Sequence, residues 1–286
     1  MRITTLTLAA AFAFATCSND TSENTDNDTL KGDSASVTVE VNNEGSKTTL
    51  PSPLRVAMMF QRSGLKFIPG ITFGSDKAIN FSTKFQKVRI MGVYSSDLAY
   101  TVLNKQSNES QKLLKTIREV AGQIDLGKVF DQTNLFDRFN ANLDNTDSLG
   151  SIIGDIQYQT DLQLQEGGQT EMYGIIFSGA WVEAMYIGAQ VYKKEGNDNV
   201  VVALLEQMAV LKSILEELNS YDTQDADLKA WITELSAMQT IVDAMPSMKK
   251  LNENPELEFK DVKPTSEEMA PVIQKIEELR AAIVKG

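Results

Sequence analysis

Two acids stand out by their surroundings. Asp97 sits in Met91–Tyr100, MGVYSSDLAY, and Glu183 sits in Met172–Tyr192, MYGIIFSGAWVEAMYIGAQVY. Both runs are otherwise apolar or small, and each acid is followed three residues later by a tyrosine, Tyr100 and Tyr186. On a helix that spacing puts carboxyl and phenol on neighbouring faces. A lone carboxylate in such a run must find a partner or take up a proton, because burying it unpaired is costly. Three chemistries answer that need. One is a core network of carboxylate, tyrosine and arginine, with Arg89 or Arg138 as the cation. A second is a ligand or cation site formed by Asp97, Tyr100, Glu183 and Tyr186. The third is a pair of catalytic carboxylates of the kind that cleaves glycans. The residues favour the network, since neither sugar-stacking aromatics nor a cleft is marked around the acids.

The rest of the chain supplies little else for catalysis. It contains no histidine, which removes the commonest general base and metal ligand and every Ser/His or Cys/His dyad. A helical di-iron site in its usual form is excluded for the same reason. No Asp-rich calcium loop occurs, and Asp144-Asn145-Thr146-Asp147 reads as a turn and cap. Ser63-Gly64-Leu65-Lys66 and Ser247-Met248-Lys249-Lys250 match Ser-x-x-Lys, but their partner motifs are missing. No phosphate-binding glycine-rich loop is present. No catalytic residue, metal or cofactor is therefore assigned. A net charge of -12 makes nucleic acid a poor partner.

These acids need elements to hold them. The run at about 172–193 is apolar on every side, so as a helix it must be buried centrally or lie in a membrane. Glu183 at its midpoint argues for burial. Amphipathic patterns surround it: 80–105 from an Asn80 cap, 109–124 from Asn108, 135–143, 148–164 from Asp147, 200–219, 228–245 closed by Pro246, and a last helix after the capping box Thr265-Ser266-Glu267-Glu268. Pro271 is expected to delay or kink that last helix. A short helical face in 53–62 leads into an apolar loop, Ser63–Gly74, broken by glycines and Pro69. The expected fold is an all-α multi-helix bundle around a buried central helix. Gly92-Val93-Tyr94 with Asp97 and Tyr100 also parallels Gly179-Ala180-Trp181 with Glu183 and Tyr186, which allows two related helical hairpins.

The N-terminus reads as an address. Arg2 precedes an apolar stretch, Ile3–Ala15, too short to span a bilayer. It ends at Cys17, the single cysteine of the chain. Phe14-Ala15-Thr16-Cys17 resembles a bacterial lipobox, which implies a signal peptide over 1–16 and lipid attachment at Cys17. Loss of Arg2 with the leader takes the charge to -13. Residues 17–50 are polar and without aromatics, an acidic tether, and the helical domain is expected over 51–286. The acids Asp20, Glu23, Asp26 and Asp28 resemble export signals of Bacteroidetes surface lipoproteins. Asp28-Thr29-Leu30 and Asp33-Ser34-Ala35 resemble the short O-glycosylation motif of that phylum, which implies Thr29 and Ser34 as acceptors.

MGVYSSDLAY at 91–100 followed by FSGAWVEAMYIGAQ at 177–190 resembles a family of uncharacterised all-helical lipoproteins of Bacteroidetes, from about Pro51 to the C-terminus. In that family a GVYxxDLxY helix precedes a Gly-x-Trp-x-Glu-type central helix. The resemblance implies an all-helical fold and an outer-membrane address, periplasmic or cell-surface facing, and carries no activity. The expected role is a non-enzymatic binding or interaction module held to the membrane through Cys17. Its partner is an unknown protein or small molecule, received near Ser63–Gly74 and the helices of Tyr100 and Tyr186. A carboxylate-only hydrolase is the alternative and requires Asp97 and Glu183 to face a common open cleft. A purely structural spacer is the second alternative.

Overall fold

The computed structural model describes residues 50–75, 81–131, 134–222 and 224–285. All belong to one compact unit, Val41–Gly286. The signal peptide, Cys17, the tether, Thr29 and Ser34 lie outside the described residues, as does the expected Asn80 cap.

Among the described residues the chain is helix and loop without strand. The helices are α1 (Pro53–Arg62), α2 (Lys84–Leu103), α3 (Ser107–Gly122), α4 (Lys128–Asp131), α5 (Leu135–Asn140), α6 (Thr146–Glu166), α7 (Glu171–Glu195), α8 (Asp198–Asn219), α9 (Ala226–Ala244), α10 (Pro246–Glu253) and α11 (Ser266–Lys285). The all-α multi-helix bundle is as the sequence predicts.

The centre differs in one respect: it is a crossed pair of helices. Nearly every residue of α7 from Met172 to Val191 is buried, and so is nearly every residue of α2 from Val88 to Val102. The two cross at glycine. A Cβ built on Gly92 would lie 2.0 Å from the Ile176 carbonyl oxygen, and one on Gly179 would lie 2.2 Å from that of Arg89. Each glycine thus meets the backbone one turn before the other, the relation expected of a local two-fold. That geometry agrees with the parallel between the Gly92 and Gly179 segments. Each helix then turns into an amphipathic partner, α2 into α3 and α7 into α8.

The outer helices close on this pair by their apolar stripes. In α8 Leu204, Leu205, Met208, Leu211, Ile214 and Leu218 are buried at helical spacing. Trp181 of α7 is almost wholly buried, and its indole N–H donates to the Gln207 carbonyl of α8 at 3.0 Å. Trp231 of α9 donates to Ser178 Oγ at 2.9 Å. Both indoles thus meet the demand that a buried N–H be partnered.

Several ends fall elsewhere than predicted. The N-cap of α2 is Thr83, in a capping box with Gln86. Helix α3 starts before Asn108, and the cap of α6 is Asn145, whose side chain accepts from the Ser148 N–H, so Asp147 lies inside the first turn. Helix α9 does end just before Pro246, and the same Pro246 also opens the next helix. It occupies the first turn of α10, where its missing N–H costs nothing. Pro271 lies inside α11, which begins at Ser266 with Thr265 and Glu268 exchanging bonds at 3.3 Å.

Candidate functional site

Both singled-out acids end up in the crossing. Asp97 and Glu183 are each 0 % exposed. Asp97 comes from α2 and Glu183 from α7, and the two carboxyls lie within hydrogen-bonding reach of each other. The cation that answers them is Arg280 of α11, not Arg89 or Arg138. Arg280 grips Glu183 with two donors, Nε to Oε2 at 3.0 Å and an Nη to Oε1 at 3.4 Å. Its guanidinium lies between the Phe73 and Tyr186 rings, 5.5 and 4.6 Å from their centroids. Arg138 pairs with Asp155 at the surface at 2.8 Å. Arg89 is stacked between Phe85 and Trp231, at 5.0 and 4.6 Å, and burial draws it down to about 10 against the pull of Asp227.

Two acids and one base leave one charge too many unless a proton is kept. Burial pushes Asp97 well above the usual carboxylate range, and the neighbouring Glu183 pushes it further, while the Phe73 N–H and Arg280 oppose. The ion pair with Arg280 requires carboxylate at Glu183. The proton therefore belongs on Asp97, and the triad is neutral. A proton on Asp97 Oδ1, the oxygen otherwise left without a partner, can be turned toward Glu183, and a buried polar network so completed fixes one packing of a core.

The acids and tyrosines also hold the Ser63–Gly74 loop. Asp97 Oδ2 accepts from the Phe73 N–H at 2.9 Å. The Tyr100 hydroxyl accepts from the Ile68 N–H at 2.8 Å and donates to the Lys66 carbonyl at 3.2 Å. Phe67 stacks on the Tyr100 ring with centroids 5.5 Å apart. Leu65, Ile71 and Phe73 are buried beneath the loop. A segment that contains three glycines with positive φ, Gly64, Gly70 and Gly74, is thereby fixed at both ends.

Of the four residues expected to bind a ligand, Asp97, Tyr100 and Glu183 are buried, and only Tyr186 is half-buried at an opening. That opening is a shallow depression of about 370 Å³ over Ile68–Ile71, with Tyr186, Gln190, Lys193 and Lys194 on the other side. It lies between the Ser63–Gly74 loop and the helix of Tyr186. The open cleft that a two-carboxylate hydrolase requires is not found at Asp97 and Glu183. Each carboxyl is sealed and met by protein, Asp97 by the Phe73 N–H and Glu183 by Arg280, so neither faces the open site that glycoside cleavage uses. Among the described residues no group of three His, Cys, Asp or Glu could hold a metal ion, and no helix is long and apolar enough to cross a membrane.

No family model, curated protein or solved structure matches this chain.

Arg280 is the site residue that sequence reasoning missed. Its position carried a signal: it is four residues after Ile276 and seven after Ile273, inside the apolar stripe of α11. A cation in a core-facing register calls for a buried acid, as the acids called for a cation.

Proposed function

We propose that this chain is a non-enzymatic binding module of the cell envelope, tethered through a lipid on Cys17. The observation that carries the binding reading is the fixed loop. Asp97 and Tyr100 are spent on anchoring Ser63–Gly74 from below, at the Phe73 and Ile68 N–H groups. What the loop presents outward is a depression with Ile68 and Pro69 against Tyr186, rimmed by Gln190, Lys193 and Lys194. An apolar, aromatic centre with a polar rim is the composition of a contact surface for another protein. Holding it rigid before contact removes the ordering cost that association otherwise carries. The address rests on Arg2, the short apolar stretch and Cys17.

The test uses full-length protein in whole cells of a host that lipidates it. A photo-activated cross-linker replaces Lys194, which is exposed on the rim, or Lys229, which is exposed on α9. The expected result is a discrete adduct from position 194 that Tyr186→Ala removes and that position 229 does not give. Identical adducts from both positions overturn the binding surface. Cys17→Ser is expected to abolish incorporation of labelled palmitate, and labelling that persists overturns the anchor.

A further inference from the structure

A second opening lies under α6. It is a narrow slot of about 70 Å³ walled by apolar side chains of α1, α2, α3, α6 and α7, among them Leu54, Leu114, Ile153 and Phe177. Asp161 of α6 and Tyr173 of α7 stand in its lining. The Asp161 carboxyl is half-buried and has no hydrogen-bonding or cationic partner among the described residues. Desolvation alone raises it to about 7. The residues that α1, α2 and α3 contribute to the slot are uncharged, and Tyr173 is the titratable neighbour, pushed above its ordinary range first by burial and then by Asp161.

The remaining polar atoms of the slot have already used their protons. Thr160 Oγ1 donates to the Ile156 carbonyl at 2.8 Å, Ser95 Oγ to the Met91 carbonyl at 2.8 Å, and the Tyr173 hydroxyl to the Leu50 carbonyl at 3.4 Å. Each hydroxyl has one proton, so toward the slot all three can only accept. Apart from the Gln157 amide, the slot is a set of acceptors around a carboxylate. Such a lining leaves anions and pure acceptors unsatisfied and suits a donor with positive charge. Size is a further selector. An apolar cavity of about 150 Å³ holds benzene, so one of about 70 Å³ takes a chain of about two carbons at most.

We propose that the slot is a second ligand site, taking a primary ammonium group on a chain of about two carbons, with Asp161 as its counter-ion. The ammonium replaces the missing partner of Asp161, and its short chain enters the apolar space between α6 and the crossed helices. The site is independent of the loop surface. Tyr173 and Tyr186 are thirteen residues apart on α7, roughly 20 Å along the axis.

The experiment titrates ethylammonium, ethanol and acetate into the full chain at pH 8, followed by backbone amide shifts of Ile153, Thr160 and Tyr173. Ethylammonium is expected to bind about tenfold or more tightly than ethanol, the discrimination that a charge-assisted hydrogen bond gives, and acetate is expected not to bind. Calorimetry at pH 7 in two buffers of different ionisation enthalpy is expected to show release of about half a proton per ligand, because Asp161 is about half protonated there when free. Asp161→Asn is expected to reduce ethylammonium to the level of ethanol, and Ile153→Phe to close the slot to both. Equal binding of the three probes, no binding of any, or ethylammonium binding that survives Asp161→Asn overturns the proposal. The comparison of probes on the unaltered chain decides the matter even if a variant fails to fold.

Discussion

Gly92 and Gly179 are the mutual contact on which the two central helices cross, each lying against the backbone of the other's preceding turn. No side chain can be added there without parting α2 from α7. Alanine gains about 1 kcal/mol of helix propensity over glycine, but a Cβ 2.0–2.2 Å from a carbonyl oxygen must move the backbone. Overpacking of that kind costs 1–3 kcal/mol or more, so Gly92→Ala and Gly179→Ala are each expected to lose about 2 kcal/mol or more in urea unfolding. The double variant is expected to lose less than the sum, since the first substitution opens the crossing for the second. Gly154→Ala on α6, where an added Cβ meets nothing within 4 Å, is expected to gain a few tenths to about 1 kcal/mol.

Arg280 is expected to be the costliest polar side chain to remove. Arg280→Met leaves the Glu183 carboxylate fully buried without its cation beside a neighbour that must keep its proton. Loss of one partner of a buried pair costs about 3–5 kcal/mol. Glu183→Met with Arg280→Met removes both charges, and denaturant midpoints are expected to show most of the loss recovered. A double variant as unstable as Arg280→Met alone overturns the assignment of Arg280 as the counter-ion.

The architecture was legible because burial is periodic: the stripes of α3, α8, α9 and α11 name their own core faces, and a run apolar on all sides names the centre. The second central helix was harder to see. In α2 the charged and polar residues of 84–89 precede the buried part, so the apolar spacing passes for one face of an amphipathic helix. Pairing across the chain was not legible at all. Asp97 and Glu183 announced a need for a cation, but which arginine meets it depends on where α11 docks, nearly a hundred residues after Glu183. The fixing of Ser63–Gly74 was hidden for the same reason, because the groups that hold its backbone are the distant Asp97 and Tyr100. Caps slipped by a few positions where Ser, Thr, Asn and Asp cluster and any of them could serve.

Tyr100→Phe is expected to free the loop without disturbing the core. The ring keeps its stacking on Phe67, but the Ile68 N–H loses its acceptor and the Lys66 carbonyl its donor. Net values for such bonds are about 0.5–1.5 kcal/mol each. Hydrogen exchange is expected to rise at Ile68 and its loop neighbours, with little change at Trp181 or Leu211. Exchange that rises equally throughout the chain overturns the local latch.

Asp97 makes a pH-dependent contribution whose sign can be worked out. Its folded carboxyl is held well above the unfolded value, first by burial and then by Glu183. The folded chain therefore binds that proton more tightly than the unfolded one, and the stability that it contributes is full below about pH 4 and is lost as the pH climbs toward the folded value. Asp161 has the same sign, in the window from about pH 4 to about 7. Asp161 is present in both chains, so it cancels when Asp97→Asn is compared with wild type. Asp97→Asn keeps an acceptor for the Phe73 N–H and a donor toward Glu183, with no proton to surrender. In urea unfolding at pH 5, 7 and 9, the stability of Asp97→Asn relative to wild type is expected to improve as the pH rises. Parallel curves from pH 5 to 9 would mean that Asp97 carries no trapped proton, and the neutral triad at the crossing would fall with it.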